Sequence, residues 1–162
     1  GYDEAIIRGE DWDLAQRIKK SGGLVWFSPE LRVTYWPRGR FSNLVKQFYS
    51  TGIWRGDLTK RDIRGASTRY FAPPVLVLGL FAGLVLLAFG QILGILPWAV
   101  YLAAIFALAV TASGLSLKSR IALAIALPTM HLSWGVGFVK GFFTGAGTTI
   151  DKGRLSGKAA GK

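Results

Sequence analysis

The stretch FAPPVLVLGLFAGLVLLAFGQILGILPWAVYLAAIFALAVTASGLSL, running from Phe71 to Leu117, holds no charged residue in 47 positions. A bilayer core asks for about 20 apolar residues per helix, so this block is long enough for two crossings. Pro73-Pro74 stands where the first helix can begin, since proline is tolerated in a helix's first turn. Gly90-Gln91 and Gly94 punctuate the run. The second apolar segment carries Pro97, Trp98 and Tyr101 near its start, and aromatic rings suit the membrane interface. The expected spans are about 72–90 and 95–113.

A third apolar segment, about 121–139, is long enough to span but contains Pro128, His131, Ser133 and Trp134. The membrane region 72–140 is therefore expected to hold two to three helices. If the third crosses, the basic tail with Lys152, Arg154, Lys158 and Lys162 ends on the far side. If it lies in the interface or re-enters, the tail stays on the near side. His131, alone in an apolar segment, reads first as a packing residue.

Basic residues mark the orientation. Lys60, Arg61, Arg64 and Arg69 precede the first span, and Lys118 and Arg120 follow the second. Positive residues collect on the cytoplasmic side. This predicts a multi-pass membrane protein with residues 1–70 in the cytoplasm. The same accounting explains an odd composition: a net charge of +11 in a chain that is 51% hydrophobic. That apolar fraction excludes disorder. The absence of cysteine and the single histidine exclude a disulfide scaffold and multi-Cys or multi-His metal sites. The charge flanks membrane segments and forms no recognition helix, so no nucleic-acid partner is expected.

The polar block, residues 1–70, carries 13 basic and 8 acidic residues. Asp11 to Ser21 has helical spacing, with Leu14, Ala15 and Ile18 on one stripe. Acidic residues open it, basic residues close it, and Gly22-Gly23 stops it. Leu24–Phe27 and Leu31–Trp36 have strand composition and alternation. Ser42 can cap a second helix through Leu44, Val45, Phe48 and Tyr49 to about Trp54. Residues 59–71 read as a basic juxtamembrane linker, and 141–162 as a basic, disordered tail. Two short strands and two helices make a marginal core, which suggests part of a larger α/β body.

Two sets of residues can carry chemistry. Glu10 and Asp11 open the first helix, with Asp13 nearby. Asp11 can be only an N-cap, or a carboxylate presented to a cleft as a general base. In Gln47-Phe48-Tyr49-Ser50-Thr51-Gly52-Ile53-Trp54-Arg55, an aromatic ring suits a sugar and an arginine suits a diphosphate. The same segment can equally be an amphipathic helix at the headgroups.

Taken in order, Gly1-Tyr2-Asp3-Glu4, Glu10-Asp11-Trp12-Asp13-Leu14, Gly22-Gly23, Trp26-Phe27-Ser28-Pro29, Leu31 to Tyr35, Pro37-Arg38, Gln47, and Gly52-Ile53-Trp54-Arg55 resemble the C-terminal part of bacterial family 2 glycosyltransferases. The branch is the exopolysaccharide, succinoglycan-type one with C-terminal membrane helices. Met130 to Phe138 also resembles its closing segment. The resemblance implies a nucleotide-sugar-binding GT-A α/β domain, of which residues 1–58 would be the C-terminal part. It implies inverting transfer from a nucleotide-diphosphate sugar to a saccharide or lipid-linked acceptor hydroxyl. A divalent metal, Mg or Mn, is implied, with ligands outside this sequence. Asp11 takes the place of the catalytic base and Glu10 that of its motif neighbour. Gln47 matches the start of the family's Gln-x-x-Arg-Trp motif, but Ser50-Thr51 stand where Arg-Trp would be, and Trp54-Arg55 follow in reversed order. The resemblance places Gln47, Trp54 and Arg55 at the substrates. Because the donor-binding half has no counterpart, the 162 residues are expected to be inactive alone. The competing expectation is a non-catalytic membrane protein whose basic segment binds anionic lipid or a partner, at about 1 kcal/mol per basic residue near the surface.

Overall fold

The computed structural model describes residues 1–4, 6, 8–34 and 40–147. Five α-helices carry the architecture: α1 (Glu10–Lys20), α2 (Phe41–Arg61), α3 (Ala72–Ala88), α4 (Leu96–Thr111) and α5 (Leu117–Thr144). Short 3-10 turns, Thr68–Phe71 and Ile92–Ile95, lead into α3 and α4.

Helix α1 forms for the reasons its sequence suggests. Glu10, Asp11 and Asp13 lie in the first turn and Arg17, Lys19 and Lys20 in the last, each complementing the helix dipole. Its N-cap is Gly9, not Asp11. At the far end the backbone N–H of Gly22 and Gly23 donate to the carbonyls of Lys19 and Ile18, with Gly22 at φ 81, a conformation glycine adopts without strain.

The α/β expectation is overturned. Among the described residues there is no strand: Leu24–Phe27 and Leu31–Thr34 are irregular, and Tyr35 and Trp36 lie outside the described residues. A strand is stabilised by cross-strand pairs and a buried face. Here Leu24 is 95% exposed and Trp26 88%, so composition alone does not make a sheet. All the regular secondary structure among the described residues is helical, and no GT-A domain is seen among them.

Three helical segments are long and apolar enough to cross a membrane: Thr68–Ala88, Ile92–Thr111 and Leu117–Thr144. The first two overlap the apolar segments 72–90 and 95–113, each beginning three or four residues earlier and ending two earlier. α5 is longer than the apolar pattern 121–139 at both ends, and Pro128 sits inside it. Ser116 caps it, its hydroxyl accepting from the Ser119 N–H. α3 and α4 form a local antiparallel corner. The Trp98 indole donates to the Leu80 carbonyl at 3.1 Å, and Gly83 and Gly94 lie against one another's backbone. Further along, the Tyr101 hydroxyl meets His131 Nδ1 at 3.2 Å, joining α4 to α5.

The tightest packing joins α2 to α5. A Cβ on Gly52 would lie 2.2 Å from the Trp134 carbonyl oxygen, and one on Gly56 2.2 Å from that of Phe138. Reciprocally, a Cβ on Gly137 would lie 2.2 Å from the Tyr49 oxygen, and one on Gly141 1.9 Å from the Ile53 oxygen. The two helices run parallel at backbone contact, each presenting glycines four residues apart. This is the small-residue spacing that lets membrane helices approach closely. α2 extends seven residues past Trp54 to Arg61, and its buried stretch is this seam together with the core around Ile53, Trp54 and Leu58. Ile6 and Ala146 complete that core, with Trp12 and Tyr49 packed against it.

Candidate functional site

Arg55 organises the site. Its guanidinium lies 4.3 Å from the Trp12 ring centroid and 4.6 Å from that of Tyr70. Both distances are well inside the range over which a cation is drawn to an aromatic face. The rings are fixed to each other: the Trp12 indole N–H donates to the Tyr70 hydroxyl at 3.1 Å, with the rings edge to face at 6.1 Å. Three elements thus converge, the start of α1, the middle of α2 and the turn before α3.

Burial pushes the Arg55 guanidinium's pKa down, and Arg69 adds to that; the neighbouring Tyr70 and Asp11 oppose it. An arginine stays cationic through such a shift. Its Nη1 is buried without a hydrogen-bond partner among the described residues. An orphaned donor on a buried cation costs free energy, and an anionic oxygen would relieve that cost.

The structure brings some predicted site residues together and separates others. Asp11 and Arg55 belong to one electrostatic neighbourhood. Asp11 is exposed, its Oδ1 accepting from the Trp12 N–H at 2.7 Å. Glu10 precedes it in the first turn and is half-buried. Gln47 stands two turns before Arg55, about 12 Å along the axis at 1.5 Å per residue. Its carbonyl accepts from Arg8 Nη1 at 3.1 Å and from the Thr51 hydroxyl at 2.8 Å. Arg8 also donates to Thr51 Oγ1 at 2.9 Å, tying the segment before α1 to α2. Trp54, 2% exposed, is a core residue, so its ring offers no open face to a sugar.

Trp12 and Tyr70 were not singled out from sequence, although the ring inside Glu10-Asp11-Trp12-Asp13 was a visible signal. The described residues hold no group of three or more His, Asp or Glu side chains placed to bind a metal ion. The implied Mg or Mn therefore has no fitting ligand set among them.

Over 145 residues the chain is 30% identical to the succinoglycan biosynthesis protein ExoA of Rhizobium meliloti (strain 1021), covering 85% of this chain and 42% of that protein. The chain is a relative of a succinoglycan biosynthesis protein. That relation bears out the resemblance to the succinoglycan-type family 2 glycosyltransferases. The chain spans less than half the length of ExoA. No family model matches the chain, and no solved structure does.

Proposed function

We propose that the chain is the acceptor-side and membrane-anchoring part of an inverting glycosyltransferase of exopolysaccharide synthesis. It would move a sugar from a nucleotide-diphosphate donor to a saccharide or lipid-linked acceptor hydroxyl at the cytoplasmic face of a bacterial plasma membrane. Supporting this reading are the relation to ExoA, the three membrane-grade helices, and above all the Asp11, Trp12, Arg55 and Tyr70 cluster at the head of the first of them.

In this reading Asp11 accepts the proton of the acceptor hydroxyl as its oxygen attacks the anomeric carbon. The bond from that carbon to the diphosphate breaks and the configuration inverts. An exposed carboxylate at a helix start can reach such a proton. Negative charge grows on the leaving diphosphate. Arg55, held between two rings and carrying an unpaired Nη1, offers a preorganised cation for it. Glu10 flanks Asp11, and Gln47 lines the approach along α2. Residues 1–58 then belong to the catalytic body, 59–71 to the juxtamembrane linker and 72–140 to the anchor.

The test uses the full-length enzyme. Asp11→Asn should lower transfer from the cognate nucleotide sugar by at least about 10²-fold, the scale of losing a positioned general base. Expression and donor binding should be retained. Turnover within a factor of a few of the parent would sink the assignment.

A further inference from the structure

We propose that α5 does not cross the bilayer. It lies along the membrane surface beside α2 and returns the chain to the side on which the α1–α2 block sits. The argument starts from Ala146, two residues beyond the end of α5. It is 3% exposed and belongs to the cluster of Ile6, Ile53, Trp54 and Leu58. Those residues precede the first candidate span. Three successive crossings would place Ala146 on the opposite side from them, about 30 Å of hydrocarbon away. The observed cluster therefore requires an even number of crossings.

The other contacts decide which two helices cross. Gly94 packs on Gly83 and Leu87, and Trp98 reaches Leu80 and Gly83. Position rises along one helix as it falls along the other, so α4 turns back along α3 and the pair is a hairpin. Its return brings the chain to the start of α5 on the side it left. The last third of α5 also stays at that level. Phe138 meets Phe71 edge to face at 5.7 Å, and Gly135 lies against the Pro73 carbonyl at the head of α3.

The two ends and the two sides of α5 fit that placement. At 1.5 Å per residue its 28 residues extend about 42 Å, more than a perpendicular crossing needs. Lys118 and Arg120 stand near one end and Lys140 near the other, with Lys118 and Lys140 exposed. Exposed Ile121, Ile125, Val136 and Phe143 fall within about 60° of one another at 3.6 residues per turn. Gly137 and Gly141, which seat α2, lie on the opposite side. One face is left for lipid and the other is occupied by α2. The consequence is that the chain leaves Gly147 on the side of the Asp11–Arg55 cluster; the expected basic tail beyond it, with Lys152, Arg154, Lys158 and Lys162, lies outside the described residues. None of this depends on glycosyl transfer.

These 162 residues contain no cysteine, and any cysteine elsewhere in the full-length protein is first replaced by serine. Single substitutions Ser21→Cys, Gln91→Cys, Ser113→Cys and Ser156→Cys are introduced into the full-length protein. Each is exposed to a membrane-impermeant maleimide in intact cells and in inverted vesicles, with the unsubstituted protein as background. Gln91→Cys should label from one side only. The other three should label from the opposite side only. Ser156→Cys labelling together with Gln91→Cys would overturn the proposal, as would Ser113→Cys doing so or all four labelling from one face. Gly79→Cys, within α3, serves as the lipid-buried control for leakiness and should label in neither preparation.

Discussion

Replacing Gly141 by alanine tests the α2–α5 seam with a single methyl group. The added Cβ would stand 1.9 Å from the Ile53 carbonyl oxygen, where ordinary contact begins near 3.4 Å. The obstacle is backbone, so no side chain can swing aside. α2 must move away by about 1.5 Å, the difference between those distances. A gap of about 0.5–1 Å already forfeits a quarter to a half of the dispersion attraction across a contact, and forced overpacking costs about 1–3 kcal/mol. Glycine to alanine also gains about 1 kcal/mol of helix propensity, which would blur a single measurement. Gly79→Ala removes that ambiguity. Gly79 is also inside a helix, and a Cβ there meets nothing within 4 Å. The difference between the two variants isolates the steric cost. At about 2–4 °C per kcal/mol for a chain of this size, Gly141→Ala should melt about 2–12 °C below Gly79→Ala. The assay is tryptophan fluorescence against temperature in lipid nanodiscs, since Trp54 and Trp134 flank the seam. A Gly141→Ala protein melting at or above Gly79→Ala would refute the close parallel packing.

Arg55→Lys should weaken the cluster by about 1–2 kcal/mol, because an ammonium cannot stack its plane on both rings; chemical denaturation against the parent reads this directly. Tyr70→Phe should cost about 1 kcal/mol for the lost hydrogen bond to the Trp12 indole while keeping the ring face, and a larger loss than Arg55→Lys would show the hydrogen bond to be the main fastener. The Asp62 carboxyl is held below its ordinary value of 3.8, chiefly by the hydrogen bond from Lys20. Its contribution to stability is then complete above pH 3.8, is lost as pH falls through the lower folded value, and should vanish from the acid limb of a stability profile in Asp62→Asn.

How much of this was legible depended on whether a signal was local. α1 was readable because its apolar stripe, its terminal charges and Gly22-Gly23 all lie within one stretch. α3 and α4 were readable because membrane-grade composition needs no partner to be recognised. Leu24 to Phe27 misled because β-formers become a strand only when a neighbouring strand satisfies their backbone, and none does so among the described residues. The Arg55 cluster was half legible. Asp11 and Arg55 were singled out separately, but their meeting depends on Trp12 and Tyr70, 58 positions apart. Trp54 suits a sugar platform by residue type alone, yet the face it occupies on α2 is the core face. The glycine seam was written plainly as Gly52-x-x-x-Gly56 and Gly137-x-x-x-Gly141. Its first half lies outside the apolar block, where such spacing does not by itself mark a helix contact.

The seam and the site are one mechanical unit. Gly56 follows Arg55 directly, so the face seated on α5 and the face offered to Trp12 and Tyr70 are only about 100° apart on α2. The position of Arg55 is therefore set by how closely α2 sits on α5, while the positions of the two rings are set by α1 and the head of α3. Cation–ring attraction falls away beyond about 6 Å, and the present distances are 4.3 and 4.6 Å. A displacement of about 1.5 Å, the amount a single Cβ at Gly141 demands, would bring one or both contacts to that limit if directed away from the rings. The glycines thus do more than hold two helices together. They place a cation between two rings at the point where the α1–α2 block meets the first of the three helices long and apolar enough to cross a membrane, and they make its geometry sensitive to α5.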